Sequence, residues 1–298
     1  MKNTAYAITA VERDTGLSKD VLRMWERRYG FPNPDRDDNG ERAYPIEQVE
    51  RLRLIKRLMD QGHRPGRLIS MDPEALHALS PRRSAADPES SHAPVQVLID
   101  LIKSHATEAY LQTMQQRLAR QGLLHFVQDT LSPLTTEVGD AWMRGELEVF
   151  DEHLYTELTR RILRQAIVSL PTSTQRPRIL LTTPPEELHE LGLLMVEALF
   201  TLEGAQCVSL GTQTPASDIV AAAIAHQVDV VALSISPAFP ARQIAPLLAR
   251  LRDSLPENIA LWAGGKAMER QREAPGLVIM PSLALALAAL NDWRTQHA

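Results

Sequence analysis

Between Arg178 and Met280, five short β-rich runs, RILLT, AQCVSL, DVVALSI, IALWAG and GLVIM, alternate with helical patterns. Nothing else in the chain constrains its fold as tightly. Strands that are apolar along their whole length are buried on both faces, and a helix between each pair lets them run parallel. The pattern over 176–298 therefore predicts a parallel sheet wrapped on both sides by helices. Such sheets take ligands at the carboxyl ends of their strands. The loop after the first strand, TTPPEELHELG, residues 182–192, is polar and sets a histidine between two glutamates at that position.

The rest of the chain reads differently. Residues 95–172 show helical periodicity throughout and no strand signal, with helices expected over 95–104, 106–120, 123–143 and 150–170, a four-helix bundle. The run SPRRSAADPESSHAP, residues 80–94, is rich in Ser, Pro and charge and reads as a linker. Residues 1–79 read as helix, turn, helix. Thr9 is expected to cap a first helix, Gly16 to turn the chain, and Ser18 to cap a second helix through Tyr29. On that second helix Val21, Leu22 and Trp25 share one side and are assigned to the core, while Lys19, Arg23, Arg27 and Arg28 stay solvated or meet phosphate. A third helix has Pro45 in its first turn and ends at Gly62.

The net charge of −5 divides into +3 for residues 1–67 and −8 for the remainder. That is a weak pointer to nucleic acid at the N-terminal end. No apolar stretch approaches the length of a membrane span, and the N-terminus lacks a secretory core. The single cysteine, Cys207, permits no internal disulfide, and a cytoplasmic setting is expected.

The ordered set LRMWERRYGFPNPDRDDNGERAY resembles the winged helix-turn-helix domain of MerR-family regulators. That family shows a Leu-Arg-x-aromatic-Glu-Arg helix, then a Pro-x-Arg wing closing in Arg-x-Tyr. The matches fall on Leu22, Arg23, Trp25, Glu26 and Arg27, on Pro34 and Arg36, and on Arg42 and Tyr44. The resemblance implies a double-stranded DNA operator as partner, met by Ser18, Lys19, Arg23, Arg27, Arg28, Arg36, Asn39, Arg42 and Tyr44. It also implies a homo-oligomer, a dimer or a tetramer. The long coiled-coil helix usual in that family is missing.

Glu187-x-His189-x-x-Gly192, then Ser234-x-Ser236, then Gly264-Gly265 resembles the cobalamin fingerprint Asp-x-His-x-x-Gly, Ser-x-Leu, Gly-Gly of methionine synthase and cobalamin-dependent mutases. The resemblance implies a flavodoxin-like (Rossmann-like) domain in which His189 ligates cobalt from below. Ser234, Ser236, Gly264 and Gly265 would then line the slot for the nucleotide tail. The residue types suit that chemistry. A neutral imidazole is a good ligand for a late first-row metal, and a carboxylate two residues earlier can fix its tautomer. Two positions depart from the pattern. Glu187 stands for the aspartate, and Ser236 for the leucine.

In the helical segment, Trp142 is followed after nine residues by Glu152-His153. This resembles the Trp-x9-Glu-His signature of light-sensing cobalamin regulators of the CarH/LitR type. There the tryptophan packs over the 5′-deoxyadenosyl group and the Glu-His pair lines the same pocket. Met143 stands where the well-described light sensors carry a histidine, so water, hydroxide or His153 is left to take the upper face of cobalt after photolysis. The three modules together imply a regulator, expected to be a repressor and not an enzyme, with adenosylcobalamin as its chromophore. The alternatives are a cobalamin sensor that ignores light, a regulator without cofactor, and a methyltransferase or mutase subunit.

Overall fold

The computed structural model describes residues 5–37, 40–60, 63–79, 93–272 and 274–297. Asn39, Gly62 and most of the expected linker lie outside them. The chain forms two compact units. One is Met1–Pro88 with Gly139–Val149, the other Glu89–Val138 with Phe150–Ala298, so the helical stretch 95–172 is shared between them.

In the first unit, β1 (Ala5–Ala7), β3 (Arg42–Pro45) and β2 (Asp35–Arg36) form a small antiparallel sheet in the order β1-β3-β2. Around it lie α1 (Ile8–Thr15), α2 (Lys19–Tyr29), α3 (Ile46–Asp60), α4 (Pro65–Ile69) and α5 (Pro73–Leu79). Ser18 caps α2 as expected, its hydroxyl accepting from Val21 N at 3.3 Å. Gly16, at φ 69°, closes α1 in the left-handed region that glycine adopts without strain. Thr9 does not cap α1. The N-cap is Ala7, which leads straight out of β1 and offers no side-chain acceptor. Pro45 ends β3 rather than starting α3, because the wing strand runs directly into the helix.

Leu22 and Trp25 are buried with Val11, Tyr44, Leu52 and Ile55, and Val21 packs at the edge of that cluster. Trp25 is the largest side chain in this core, so Trp25→Ala is expected to cost about 3–5 kcal/mol. Chemical denaturation monitored by circular dichroism checks this. A loss below about 1 kcal/mol would show that Trp25 does not organise the unit.

The second unit begins with α6 (Ala93–Lys103) and α7 (Thr107–His125). A π-helical segment (Phe126–Leu131), α8 (Ser132–Met143), whose residues from Gly139 on belong to the first unit, and α9 (Val149–Ser169) follow in the chain. Gly122, at φ 71° and ψ 164°, breaks α7 between the expected second and third helices. The π-helical turns carry no signal in the sequence. They bury Phe126, Val127, Thr130 and Leu131.

The sheet consists of β4 (Arg178–Thr182), β5 (Gln206–Gly211), β6 (Val230–Ser234), β7 (Ala260–Gly264) and β8 (Leu277–Met280), ordered β5-β4-β6-β7-β8. All four pairings are parallel. This is the flavodoxin-like order. Side chains alternate across the sheet. Leu180, Val231, Leu233 and Leu261 join one core, while Ile179, Leu181, Val230 and Trp262 join the other. α10 (Leu191–Leu202), α11 (Ala216–Ala225), α12 (Ala241–Ser254) and α13 (Leu283–Gln296) cover the two faces. The strand order reverses between β4 and β6, and crevices at such points hold ligands.

Candidate functional site

Two loops meet at that reversal. Glu187, in the loop after β4, is almost wholly buried. Its Oε1 accepts from His189 Nδ1 at 2.6 Å and from His189 N at 2.9 Å. Its Oε2 accepts from the main-chain N and the hydroxyl of Ser236, just beyond β6, each at 2.8 Å. Ser236 Oγ also lies 3.1 Å from His189 Nδ1. Burial pushes the Glu187 carboxyl up, but the hydrogen bonds and charge from His189 and the amide of Ser236 outweigh it, and the group is held below its ordinary value. The anion fixes the proton on Nδ1 of His189, so the lone pair is on Nε2 of a ring whose side chain is 60% exposed. Thr183, fully buried, braces the loop: its hydroxyl donates to Glu187 O at 2.7 Å and accepts from Gln213 N at 2.9 Å.

The two departures from the fingerprint thus touch each other. The extra methylene of Glu187 carries its carboxylate to a serine hydroxyl where the pattern has leucine. Ser236 therefore adds a donor at this point. The glycines sit on the same edge. A Cβ on Gly192 would lie 3.1 Å from Ser234 Oγ. A Cβ on Gly265, at φ 109°, would lie 2.2 Å from Ile235 O, and one on Gly264 3.3 Å from Met280 O. Close backbone approach, rather than turn formation alone, requires glycine at 265.

Glu152 and His153 lie in the first turn of α9. The Glu152 carboxylate takes His153 Nδ1 at 2.7 Å and the Thr156 hydroxyl at 2.8 Å. Trp142 and Met143 end α8, are half-buried, and belong to the unit that contains the N-terminal residues.

In the N-terminal unit, Asp20, Arg23, Arg27 and Arg42 line a cleft of about 400 Å³. Arg23, Arg27, Arg28 and Arg36 are exposed. Arg42 is half-buried and holds Glu26 of α2 through contacts of 2.8 and 3.4 Å, so it locks the wing to the helix. Lys19 is tied back to Glu12, 3.6 Å from Nζ. Tyr44 corrects the sequence reading: expected at the DNA interface, it is wholly buried in the core with its ring against the helices, and it cannot reach a phosphate. Arg42 and Tyr44 are two apart on β3 and so share a face of the strand, and the Arg-x-Tyr motif does not show that this face is covered by the core: Tyr44 is buried there while Arg42 reaches Glu26 at its margin. Asp20 was not singled out in the sequence, though a carboxylate amid arginines in the first turn of a helix is visible there.

The family model described as MerR HTH family regulatory protein matches residues 6–69. Two models described as B12 binding domain match residues 94–167 and 177–290. A Myxococcus xanthus protein, HTH-type transcriptional repressor CarH, is 32% identical over 275 residues, which is 90% of this chain and 91% of that protein. The chain belongs to the CarH-type family of MerR regulators with B12-binding domains. A second M. xanthus protein of this kind, HTH-type transcriptional repressor CarA, is 31% identical over 81% of this chain and 80% of its own length. The monomethylamine corrinoid protein of Methanosarcina barkeri superposes with a TM-score of 0.54 at 19% identity, covering 68% of this chain and 100% of that one. That likeness is one of fold. Like other CarH-type proteins, the chain is a cobalamin-binding transcriptional regulator, and no helix among its described residues is long and apolar enough to cross a membrane.

Proposed function

We propose that the chain is a repressor that binds adenosylcobalamin through His189 and leaves its operator in the light. The observation that carries this reading is the Glu187–His189–Ser236 array at the carboxyl ends of β4 and β6. The donor set fits a cobalt held in a corrin ring. Such a metal needs one protein ligand, and among the described residues no group of three or more His, Cys, Asp or Glu offers an all-protein site. Bound adenosylcobalamin supplies a light-labile cobalt–carbon bond.

The chain's own residues do the rest. His189 would hold the cobalt through Nε2, Glu187 keeps its proton on Nδ1, and Ser236 holds Glu187 in place. Gly192, Ser234, Gly264 and Gly265 keep side chains out of the path of the nucleotide tail. By resemblance alone, Trp142, Met143, Glu152 and His153 are assigned to the adenosyl group. A thioether is a weaker ligand than imidazole for oxidised cobalt, so Met143 does not replace the histidine of other light sensors. The repressor relatives favour DNA binding as the output, with Arg23, Arg27, Arg28 and Arg36 meeting phosphates and base edges. A homo-oligomer, dimer or tetramer, multiplies a charge excess that is small in one chain.

The test is an absorption spectrum of the full chain, incubated with adenosylcobalamin in the dark, desalted and then illuminated, with binding to duplex DNA selected from a random pool measured beside it. Retained cofactor, an irreversible spectral change and weakened DNA binding are expected. Retained cofactor with no response to light would make the protein a cobalamin sensor, and no retained cofactor would sink the reading. In the same DNA assay Arg23→Ala is expected to weaken binding and to lower the salt slope by about 1, as loss of one phosphate contact does. An unchanged slope removes Arg23 from the phosphate contacts.

A further inference from the structure

α10 is apolar on nearly every side and buried along most of its length, as suits a helix with neighbours on both flanks. Two carboxylates interrupt it, Glu190 at its start and Glu197 two turns on. Both are reached from α9. Arg164 donates to Glu190 Oε1 at 2.7 Å and to Glu197 Oε2 at 3.4 Å. Arg160 donates to Glu190 Oε2 at 3.4 Å and is itself held by Glu157. Each oxygen of Glu190 therefore carries one arginine.

Buried or half-buried carboxylates among apolar residues are costly unless paired, so their placement calls for a role. Stability is a poor one, because Arg160 and Arg164 have side chains 43% and 41% exposed and such pairs contribute little. Orientation is a better one. Glu190 follows His189 directly in the chain, and Glu187 is pinned from the other side by Ser236. In the chain, His189 is thus flanked by two residues whose carboxylates are anchored.

We propose that Arg160 and Arg164 are positioning residues for His189, acting through Glu190, so that α9 sets the height and tilt at which the imidazole is presented. This rests on His189 being the cobalt ligand.

The test uses the full chain with adenosylcobalamin in the dark. It reads affinity, the visible bands that depend on the lower ligand, and the melting of the cofactor-free protein. Glu190→Gln, and separately Arg160→Gln with Arg164→Gln, are expected to weaken binding about tenfold, the loss usual for a residue that orients a metal ligand. They should also shift the bands towards those of His189→Ala; Glu190→Gln should leave melting nearly unchanged, while the arginine variant, which also leaves Glu197 unpaired, should melt lower. Combining the two changes should add little, since both act on one contact. Arg160→Lys with Arg164→Lys keeps the charge and should restore binding to within about twofold of the native chain. Native affinity and bands in Glu190→Gln and in the arginine double variant, beside a defective His189→Ala, would overturn the proposal and leave the ligand assignment standing. Lower melting and weaker binding with native bands would overturn it too, as a merely structural role. A His189→Ala that binds like the native chain would overturn both. Should the arginine double variant fold poorly, Glu190→Gln, which removes only a charge, decides alone.

Discussion

His189→Ala is expected to lose cobalamin on desalting, with affinity falling by at least about 100-fold, more than the loss usual for a residue that merely orients a ligand. The change removes the sole nitrogen that Glu187 and Ser236 are arranged to orient. It also leaves Glu187 buried with three of its four hydrogen bonds, two from Ser236 and one from the His189 main chain. The fold should survive, since the imidazole is on the exposed side of the loop and contributes no core. Equilibrium dialysis in the dark gives the affinity, and far-ultraviolet circular dichroism gives the fold. Retention of cofactor at native affinity by a folded His189→Ala chain would remove His189 from the site. Ser236→Ala should be milder, because the Ser236 main-chain N still reaches Glu187.

Gly265→Ala is the second large effect, and it acts on the fold. A methyl there would overlap the carbonyl oxygen of Ile235, the residue after β6, whose main-chain N donates to Gly264 O at 2.9 Å, and φ 109° is closed to alanine. Backbone cannot yield as a flexible side chain would. Overlap and strain together are expected to cost about 2–5 kcal/mol. Gly264→Ala, with 3.3 Å to the nearest carbonyl, should cost less than half of that. Thermal melts of the pair of variants decide the point. Equal melting of the two would show that the strand end relaxes freely around Gly265.

The sequence made the α/β domain legible because its strands are apolar runs with helices between them, a pattern that leaves little freedom. It made the His189 loop legible because three short motifs recur at fixed spacing. Ser18 and Gly16 were readable as cap and turn, since capping is local chemistry within a few residues. Thr9 failed for the opposite reason: whether a residue caps or sits inside a helix depends on where the preceding strand ends. Tyr44 failed because the helices that cover its face of β3 come from elsewhere in the chain, so the motif alone does not show that the ring is buried.

What the tertiary structure alone decided are the contacts between residues far apart in the chain. Glu187 and Ser236 lie 49 positions apart, and only the β4–β6 pairing shows that each departure from the fingerprint supplies the other's partner. Arg164 and Glu190, 26 apart, look like ordinary helix-surface charges until α9 and α10 are set side by side. Sequence by itself determined the kinds of elements and their order and pointed to His189 as a candidate, because periodicity and short motifs are properties of neighbouring residues. The orientation of that histidine depends on hydrogen bonds a few ångströms long between separate loops, and those exist only once the sheet has brought the loops together.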